Sequence, residues 1–375
     1  MKLLNFFIKK QINILLLAIP LAIIAEIFHW GEIWVFALSA AGVIPLASYI
    51  GEATEVLADY TGPRLGGLLN ATLGNAAELI ITIVAIREGL LELVKASITG
   101  SILGNILLVL GAAMLFGGLK NGEQSFNCHN ASRNSILLVL AVVALLIPSM
   151  LSGAIGPDDS MEVEVFSIGV ATIMIVLYGL GLYYSFKASD GPMSVHSSTY
   201  IEHHPQSEKI DPPLHKITEH THWSVRTALI VLALSTAGVA LLSELLVGAV
   251  EPVVTGLGVS EFFLGVILIP IIGNVAEHLV AVKVAIENQM DLSVEIAIAS
   301  SLQIALFVAP ILVFISLLFG NPLQLIYNQF ELLALIVGVL IAALVASDGK
   351  SNWLEGAELL AVYIILSLAF FLLPV

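Results

Sequence analysis

Two stretches of the chain share one five-residue motif: Gly74-Asn75-Ala76-Ala77-Glu78 and Gly273-Asn274-Val275-Ala276-Glu277. Each copy lies inside an apolar segment long enough to cross a membrane. A carboxylate near the centre of a bilayer costs about 2.5–3.5 kcal/mol on insertion scales, so an ionisable residue there indicates function. Two such carboxylates half a chain apart predict one site built by an internal repeat.

The composition around these motifs predicts a helical membrane protein. Of the 375 residues, 58% are hydrophobic and 11% are charged, and the mean hydropathy is +1.00. Soluble domains carry about 25% charged residues, which excludes a soluble α/β enzyme. The apolar runs are continuous rather than alternating, which excludes an outer-membrane barrel. The net charge of −15 argues against a nucleic-acid partner and favours cations, and the single cysteine, Cys128, excludes a disulfide within the chain.

The hydropathy pattern predicts an all-α, polytopic fold with about eleven transmembrane helices. The N-terminal apolar stretch is interpreted as the first of them, because no small-residue cleavage site of a secretory signal follows it. The expected spans are 12–28, 33–57, 66–86, 94–118, 133–151, 164–186, 225–247, 260–285, 292–319, 330–346 and 354–374.

The basic residues predict the orientation of this bundle. If the N-terminus is cytoplasmic and eleven helices follow, twelve of the fourteen Lys and Arg residues fall on the cytoplasmic side. Only Arg87 and Lys95 fall outside. We therefore expect a multi-pass integral membrane protein, in the cell (inner) membrane if the source is prokaryotic, with the lipid bilayer as its surroundings.

An internal repeat divides the chain. We expect an N-terminal helix in residues 1–30 and a first five-helix repeat (helices 2–6) in residues 31–186. A linker in residues 187–224 separates it from a second five-helix repeat (helices 7–11) in residues 225–375. Because five is odd, the two repeats have inverted topology. The second motif begins 199 residues after the first (273 against 74), and the same offset pairs Ser101 with Ser300.

The linker is the longest polar interruption. A solvated cytoplasmic connection and a metal-sensing or regulatory loop both remain open, since His-rich tracts can bind metal. It holds six of the nine histidines: His196, His203, His204, His215, His220 and His222.

The motif brings oxygen ligands to one helix face. Asn75 and Glu78 are three residues apart, and Gly74 allows a break that exposes backbone carbonyls. In the second copy Pro270 frees the carbonyl of Val266. Carboxylate, amide and carbonyl oxygens suit a hard cation such as Ca2+, and two carboxylates neutralise one divalent ion. The same pair can bind protons when the ion leaves.

Further polar residues follow in the next helix of each repeat. Ser101 and Asn105 are four residues apart, and Ser300 and Gln303 are three apart. Interhelical hydrogen bonds between small polar residues are common in membrane bundles. Beside two buried glutamates, we favour the interpretation that these four residues line the site.

Two other titratable residues are candidates for proton traffic. Glu55 lies in an acidic stripe on helix 2, either on an ion or proton access path or at a solvated helix end. His278 follows Glu277 directly and titrates in a suitable range, although a hydrogen-bonded packing histidine is an equal alternative.

The two Gly-Asn-x-x-Glu motifs, the second followed by His278, resemble those of the cation/calcium exchanger superfamily. In particular they resemble the calcium/proton antiporter (cation/H+ exchanger) family. The stretches 96–105 and 297–305 support the resemblance, which extends from helix 2 to helix 11. Relatives often carry a strongly acidic loop where this chain has a His-containing linker.

The resemblance implies one Ca2+ site at mid-membrane between the repeats. Glu78 and Glu277 would be its chief carboxylates. Proton and Ca2+ occupancy would exclude one another, and helices 1–2 and 6–7 would gate alternating access. The neighbouring oxygens would come from Gly74, Asn75, Gly273, Asn274, Asn105, Ser101, Ser300 and Gln303.

We therefore expect a secondary active transporter, not an enzyme, that exports Ca2+ from the cytoplasm in exchange for H+ and needs no cofactor. A sodium/calcium exchanger is the alternative within the class, although the chain has Gln303 where the sodium branch has an Asp. A passive calcium channel is a further alternative. An intramembrane metalloenzyme is excluded because no His pair lies within a membrane helix. The oligomeric state, including a homo-oligomer, stays open.

Overall fold

The computed structural model of this chain describes residues 13–157, 160–187 and 223–373. The six histidines of the linker therefore lie outside the described residues. Two short strands, β1 (Gln124–Ser125) and β2 (Lys350–Ser351), pair antiparallel. Otherwise the described chain forms helices and short connections. The helices are α1 (Leu15–Ile27), α2 (Glu32–Thr61), α3 (Pro63–Leu73), α4 (Ala76–Arg87), α5 (Leu91–Asn121), α6 (Cys128–Ile155), α7 (Met161–Lys187), α8 (Val225–Gly248), α9 (Val250–Leu257), α10 (Glu261–Ile286), α11 (Met290–Phe319), α12 (Gln329–Val345) and α13 (Trp353–Leu372).

The expected all-α membrane fold is confirmed. Eight helices within the described residues are long and apolar enough to span a bilayer, and α1 and α12 are shorter apolar helices. The third predicted span, 66–86, is divided into α3 and α4. Large apolar side chains remain exposed on the outside of the bundle, among them Leu234, Leu318 and Leu344. Such a surface suits contact with lipid rather than with water.

The interior is built around α5. Its most apolar stretch is 72% buried, whereas the most apolar stretches of the peripheral helices α7 and α13 are each 22% buried. Small residues let helix backbones approach closely there. A Cβ atom added at Gly100 of α5 would lie 2.0 Å from the carbonyl oxygen of Val266 in α10. The Val266 carbonyl, which the sequence predicts to be freed by Pro270, therefore lies against α5.

Three of the long helices contain a π-helical segment. The segments are Gly104–Val109 in α5, Leu264–Leu268 in α10 and Ile304–Val308 in α11. Such segments are frequent at functional sites, because they leave backbone groups without the regular helical pairing. In α11 the segment begins directly after Gln303, and in α5 it includes Asn105, so each lies at a polar residue that the sequence singles out.

Contacts between connections define the two ends of the bundle. At one end, the Arg87 face, Arg87 forms an ion pair with Glu244 of α8 at 3.1 Å. At the other end, the Gln124 face, Gln124 pairs with Ser351 and donates to the side chain of Asn288. The site described next lies between these faces.

Candidate functional site

The first motif sits at a break in the chain's helical path. The helix α3 ends before Gly74, and Asn75, with φ −94° and ψ 16°, begins α4. A Cβ atom at position 74 would lie 2.5 Å from the carbonyl oxygen of Asn70, so only glycine fits this junction. The break places Glu78 in the first turn of α4, where a helix N-terminus favours negative charge.

Glu78 is buried and is held from both halves of the chain. Its Oε1 accepts a hydrogen bond of 2.7 Å from the Ser101 hydroxyl of α5. The same oxygen accepts a hydrogen bond from Nδ2 of Asn274, in the second motif. Its Oε2 is buried without a hydrogen-bond partner among the described residues. A buried carboxylate oxygen in that condition is suited to take a proton or a cation.

Glu277 lies in the continuous helix α10 and is less buried. Its Oε2 accepts a hydrogen bond of 2.7 Å from the hydroxyl of Ser300 in α11. The Ser101–Glu78 and Ser300–Glu277 bonds each join residues 23 positions apart. The serines and the glutamates are both offset by 199 residues, so the two bonds correspond to one another. Each glutamate is therefore oriented by a serine of the next helix.

The two motifs are in direct contact. A Cβ atom added at Gly273 would lie 2.9 Å from Cγ of Glu78, so this glycine makes room for the carboxylate of the other half. Asn75 in turn donates from Nδ2 to Oε1 of Gln303 in α11 at 2.7 Å. Residues from α4, α5, α10 and α11 thus meet in one cluster of carboxylate, amide and hydroxyl groups.

The other predicted site residues take different positions. The amide nitrogen Nδ2 of Asn105 is buried within the π-helical segment of α5 and has no hydrogen-bond partner among the described residues. Nε2 of His278 is likewise buried without a hydrogen-bond partner among the described residues. Glu55 is exposed on α2, in the last two turns before Thr61. These three residues are not joined to either motif by the hydrogen bonds described above.

The donor set limits which ions the cluster can take. In the described part of the chain, no group of three or more His, Cys, Asp or Glu side chains is arranged to hold a metal ion. A site here would combine two carboxylates with amide, hydroxyl and carbonyl oxygens. That set suits a hard cation such as Ca2+ and not the nitrogen- and sulfur-rich sites of zinc.

Sequence reasoning missed two asparagines at the ends of the long helices. Nδ2 of Asn121 lies 3.2 Å from the carbonyl oxygens of Ala285 and Ile286. Nδ2 of Asn321 lies 2.9 Å from the carbonyl oxygen of Ile86. One signal in the sequence could have paired them. Asn121 and Asn321 are 200 residues apart, and the two motifs are 199 residues apart.

Comparison with known proteins gives concordant matches. The family model described as "Sodium/calcium exchanger protein" matches residues 31–187 and 227–372. A "Ca(2+)/H(+) antiporter" of Aphanothece halophytica is 46% identical over 96% of this chain and 96% of its own length. "Ca(2+)/H(+) antiporter ChaA" of Bacillus subtilis (strain 168) is 44% identical over 95% of this chain and 97% of its own length.

A solved structure matches the fold. The structure titled "Structure of native YfkE" superposes with a TM-score of 0.81 at 42% sequence identity. The superposition covers 96% of this chain and 100% of that one.

Proposed function

The chain belongs to the sodium/calcium exchanger protein family, and from this premise we infer that it is a calcium/proton antiporter. The resemblance drawn from the two motifs is thereby confirmed. Relatives that cover nearly the whole chain at 44–46% identity carry this activity in their names, which favours protons over sodium as the counter-ion. The transported ions are Ca2+ and H+, and the surroundings are the lipid bilayer.

One observation supports the location of the ion site most directly. Asn274 of the second motif donates a hydrogen bond to Glu78 of the first, so the two motifs contribute to one cluster. We assign Glu78 and Glu277 as the carboxylates that bind Ca2+ and, in its absence, protons. The neighbouring amide and hydroxyl groups orient these carboxylates, and their oxygens complete the donor set that Ca2+ prefers.

The exchange follows from competition for this cluster. A Ca2+ ion needs both carboxylates ionised, whereas protonation removes the charge that attracts it. The two cargo ions therefore occupy the site in turn, and a proton gradient drives Ca2+ the other way. In this proposal Ca2+ leaves the cytoplasm, the N-terminus is cytoplasmic, and Glu55 and His278 serve proton access.

The division into two inverted five-helix repeats is part of the same proposal. The two family matches, 31–187 and 227–372, fall on either side of the linker and support it. Access would alternate between the Arg87 face and the Gln124 face, as in other transporters built from inverted repeats.

The test is Ca2+ uptake into everted membrane vesicles under an imposed pH gradient. We expect uptake that follows the pH gradient, is abolished when an ionophore collapses it, and ignores a sodium gradient of equal size. Uptake that follows sodium and ignores pH would identify a sodium/calcium exchanger instead. Uptake that needs neither counter-ion would identify a passive channel.

A further inference from the structure

The end of α4 is held by a residue from the other half of the chain. Asn321 follows Gly320, which ends α11 in a left-handed conformation with φ 73°. Its Nδ2 donates to the carbonyl oxygens of Ile86 at 2.9 Å and Arg87 at 3.3 Å. The last carbonyls of a helix lack partners within the helix. Asn321 therefore supplies donors to the C-terminus of the helix that carries Glu78.

The end of α10 is held in the same way at the opposite face. Asn121, the last residue of α5, donates from Nδ2 to the carbonyl oxygens of Ala285 and Ile286, each at 3.2 Å. Nε2 of Gln124 adds a second donor to the Ala285 oxygen at 2.9 Å. The helix held here is the one that carries Glu277.

Together with the serine contacts, these bonds close a ring of four helices. Ser101 joins α5 to α4, and Ser300 joins α11 to α10. Asn121 joins α5 to α10, and Asn321 joins α11 to α4. Each glutamate helix is thus attached at its carboxylate to one neighbour and at its C-terminal end to another.

This attachment fixes the axial position of each glutamate helix. A slip by one residue would move a carboxylate by about 1.5 Å along the helix axis. Ca2+–oxygen distances span only about 2.3–2.6 Å, so even a fraction of that slip is significant for an ion held by both carboxylates. A helix end that is merely capped, by contrast, matters for stability alone.

Resting on the antiport function proposed above, we propose that Asn121 and Asn321 are positioning residues, which set Glu277 and Glu78 respectively at the height where both bind one Ca2+ ion. Each acts on the carboxylate of the other half of the chain. Neither contacts the ion itself.

The experiment uses the full-length protein in proteoliposomes and measures the initial rate of Ca2+ uptake against Ca2+ concentration under a fixed pH gradient. Asn121→Asp and Asn321→Asp keep the side-chain shape, remove the amide donor and place a carboxylate against the carbonyls. We expect each to raise the KM for Ca2+ about three- to tenfold, with the maximum rate within about twofold of wild type.

Asn130→Asp is the matched control. Its Oδ1 accepts a local hydrogen bond of 2.6 Å from Arg133 on the same helix, and the aspartate retains that acceptor. Asn130→Asp should therefore leave the KM for Ca2+ unchanged. If Asn121→Asp or Asn321→Asp fails to accumulate, Asn121→Ala or Asn321→Ala replaces it, because alanine removes the donor without adding a charge, and it is judged by the same criterion.

An unchanged KM in both variants would overturn the inference. This holds even if the Tm of the variants is lower, because the asparagines would then act as helix caps only. Wild-type protein without proton-driven uptake would overturn the proposed function instead. In that case Ca2+ binding to the detergent-solubilised variants decides the inference, and an unchanged Kd would contradict it.

Discussion

The same five-residue motif forms two different local structures in this molecule. In the first copy the helical path breaks at Gly74 and Asn75, so that Glu78 opens a new helix. In the second copy α10 continues through Gly273 and Glu277, and the irregular segment lies earlier, at Leu264–Leu268. The motif permits a break but does not impose one.

The packing before each motif shows what decides the difference. Gly66 and Gly265 are separated by the motif offset of 199 residues. A Cβ atom at Gly265 would lie 2.5 Å from Cβ of Ala96 in α5, across the two halves of the chain. A Cβ atom at Gly66 would lie 2.6 Å from the carbonyl oxygen of Ala58 in α2, within its own half. Tertiary contacts therefore select the conformation of each copy.

This asymmetry is what the proposed alternating access requires. At the Arg87 face the N-terminal part of α10 packs against α5 of the other half. The corresponding segment, α3, lies at the Gln124 face and packs against α2 of its own half. Exchanging the two arrangements between the halves would exchange the faces from which the site is reached. The two motifs are therefore expected to be unequal in structure but joint in function.

The largest effect is expected from removing either carboxylate. Glu78→Gln and Glu277→Gln should each reduce exchange at least about 30-fold, because truncating one partner of a buried charged contact costs about 2–5 kcal/mol. Ca2+ uptake into vesicles, normalised to the amount of inserted protein, measures this. Glu355→Gln, in the capping box at the start of α13, is the control and should transport normally, because glutamine also fits a capping box. Normal transport by either motif variant would show that only one copy forms the site.

A smaller effect is expected where the copies touch. Gly273→Ala places a methyl group 2.9 Å from Cγ of Glu78, so the carboxylate must move. Overpacking of this kind costs about 1–3 kcal/mol, and we expect the KM for Ca2+ to rise about tenfold. Gly104→Ala is the control, since a Cβ atom there meets nothing within 4 Å. Equal behaviour of the two variants would contradict the contact between the motifs.

The smallest effect separates the two glutamates from one another. Ser101→Ala leaves Glu78 with its bond from Asn274, whereas Ser300→Ala removes the hydroxyl that orients Glu277. Because a hydrogen bond contributes about 0.5–1.5 kcal/mol net, we expect KM to rise about fivefold for Ser300→Ala and about twofold for Ser101→Ala. A larger rise in KM for Ser101→Ala than for Ser300→Ala would contradict this. It would show that the bond from Asn274 does not compensate for the loss of the Ser101 hydroxyl.

Much of the fold could be predicted because the bilayer imposes it. A span must be apolar and about 20 residues long, so hydropathy alone located the eleven segments, including the short α12 and the divided α3 and α4. The candidate site could be predicted for a related reason, since a carboxylate in such a segment is costly to bury. The offset of 199 residues then pairs Ser101 with Ser300 from the sequence alone.

What escaped prediction depends on contacts between distant parts of the chain. The bond from Asn274 to Glu78 and the bond from Asn75 to Gln303 join residues 196 and 228 positions apart, and no local pattern encodes them. Asn121 and Asn321 resemble ordinary residues of helix ends until the carbonyls they contact are known.

The sequence by itself determined that the chain crosses a membrane, that two glutamates lie within it, and that the two occur in repeated surroundings. These properties follow from the transfer energies of individual segments, which depend on local composition. Only the tertiary structure decided that the first motif breaks its helix and the second does not, and that each glutamate helix is held at its end by the opposite half. Those outcomes depend on packing between helices, and two copies of one Gly-Asn-x-x-Glu motif can differ there because their neighbours differ.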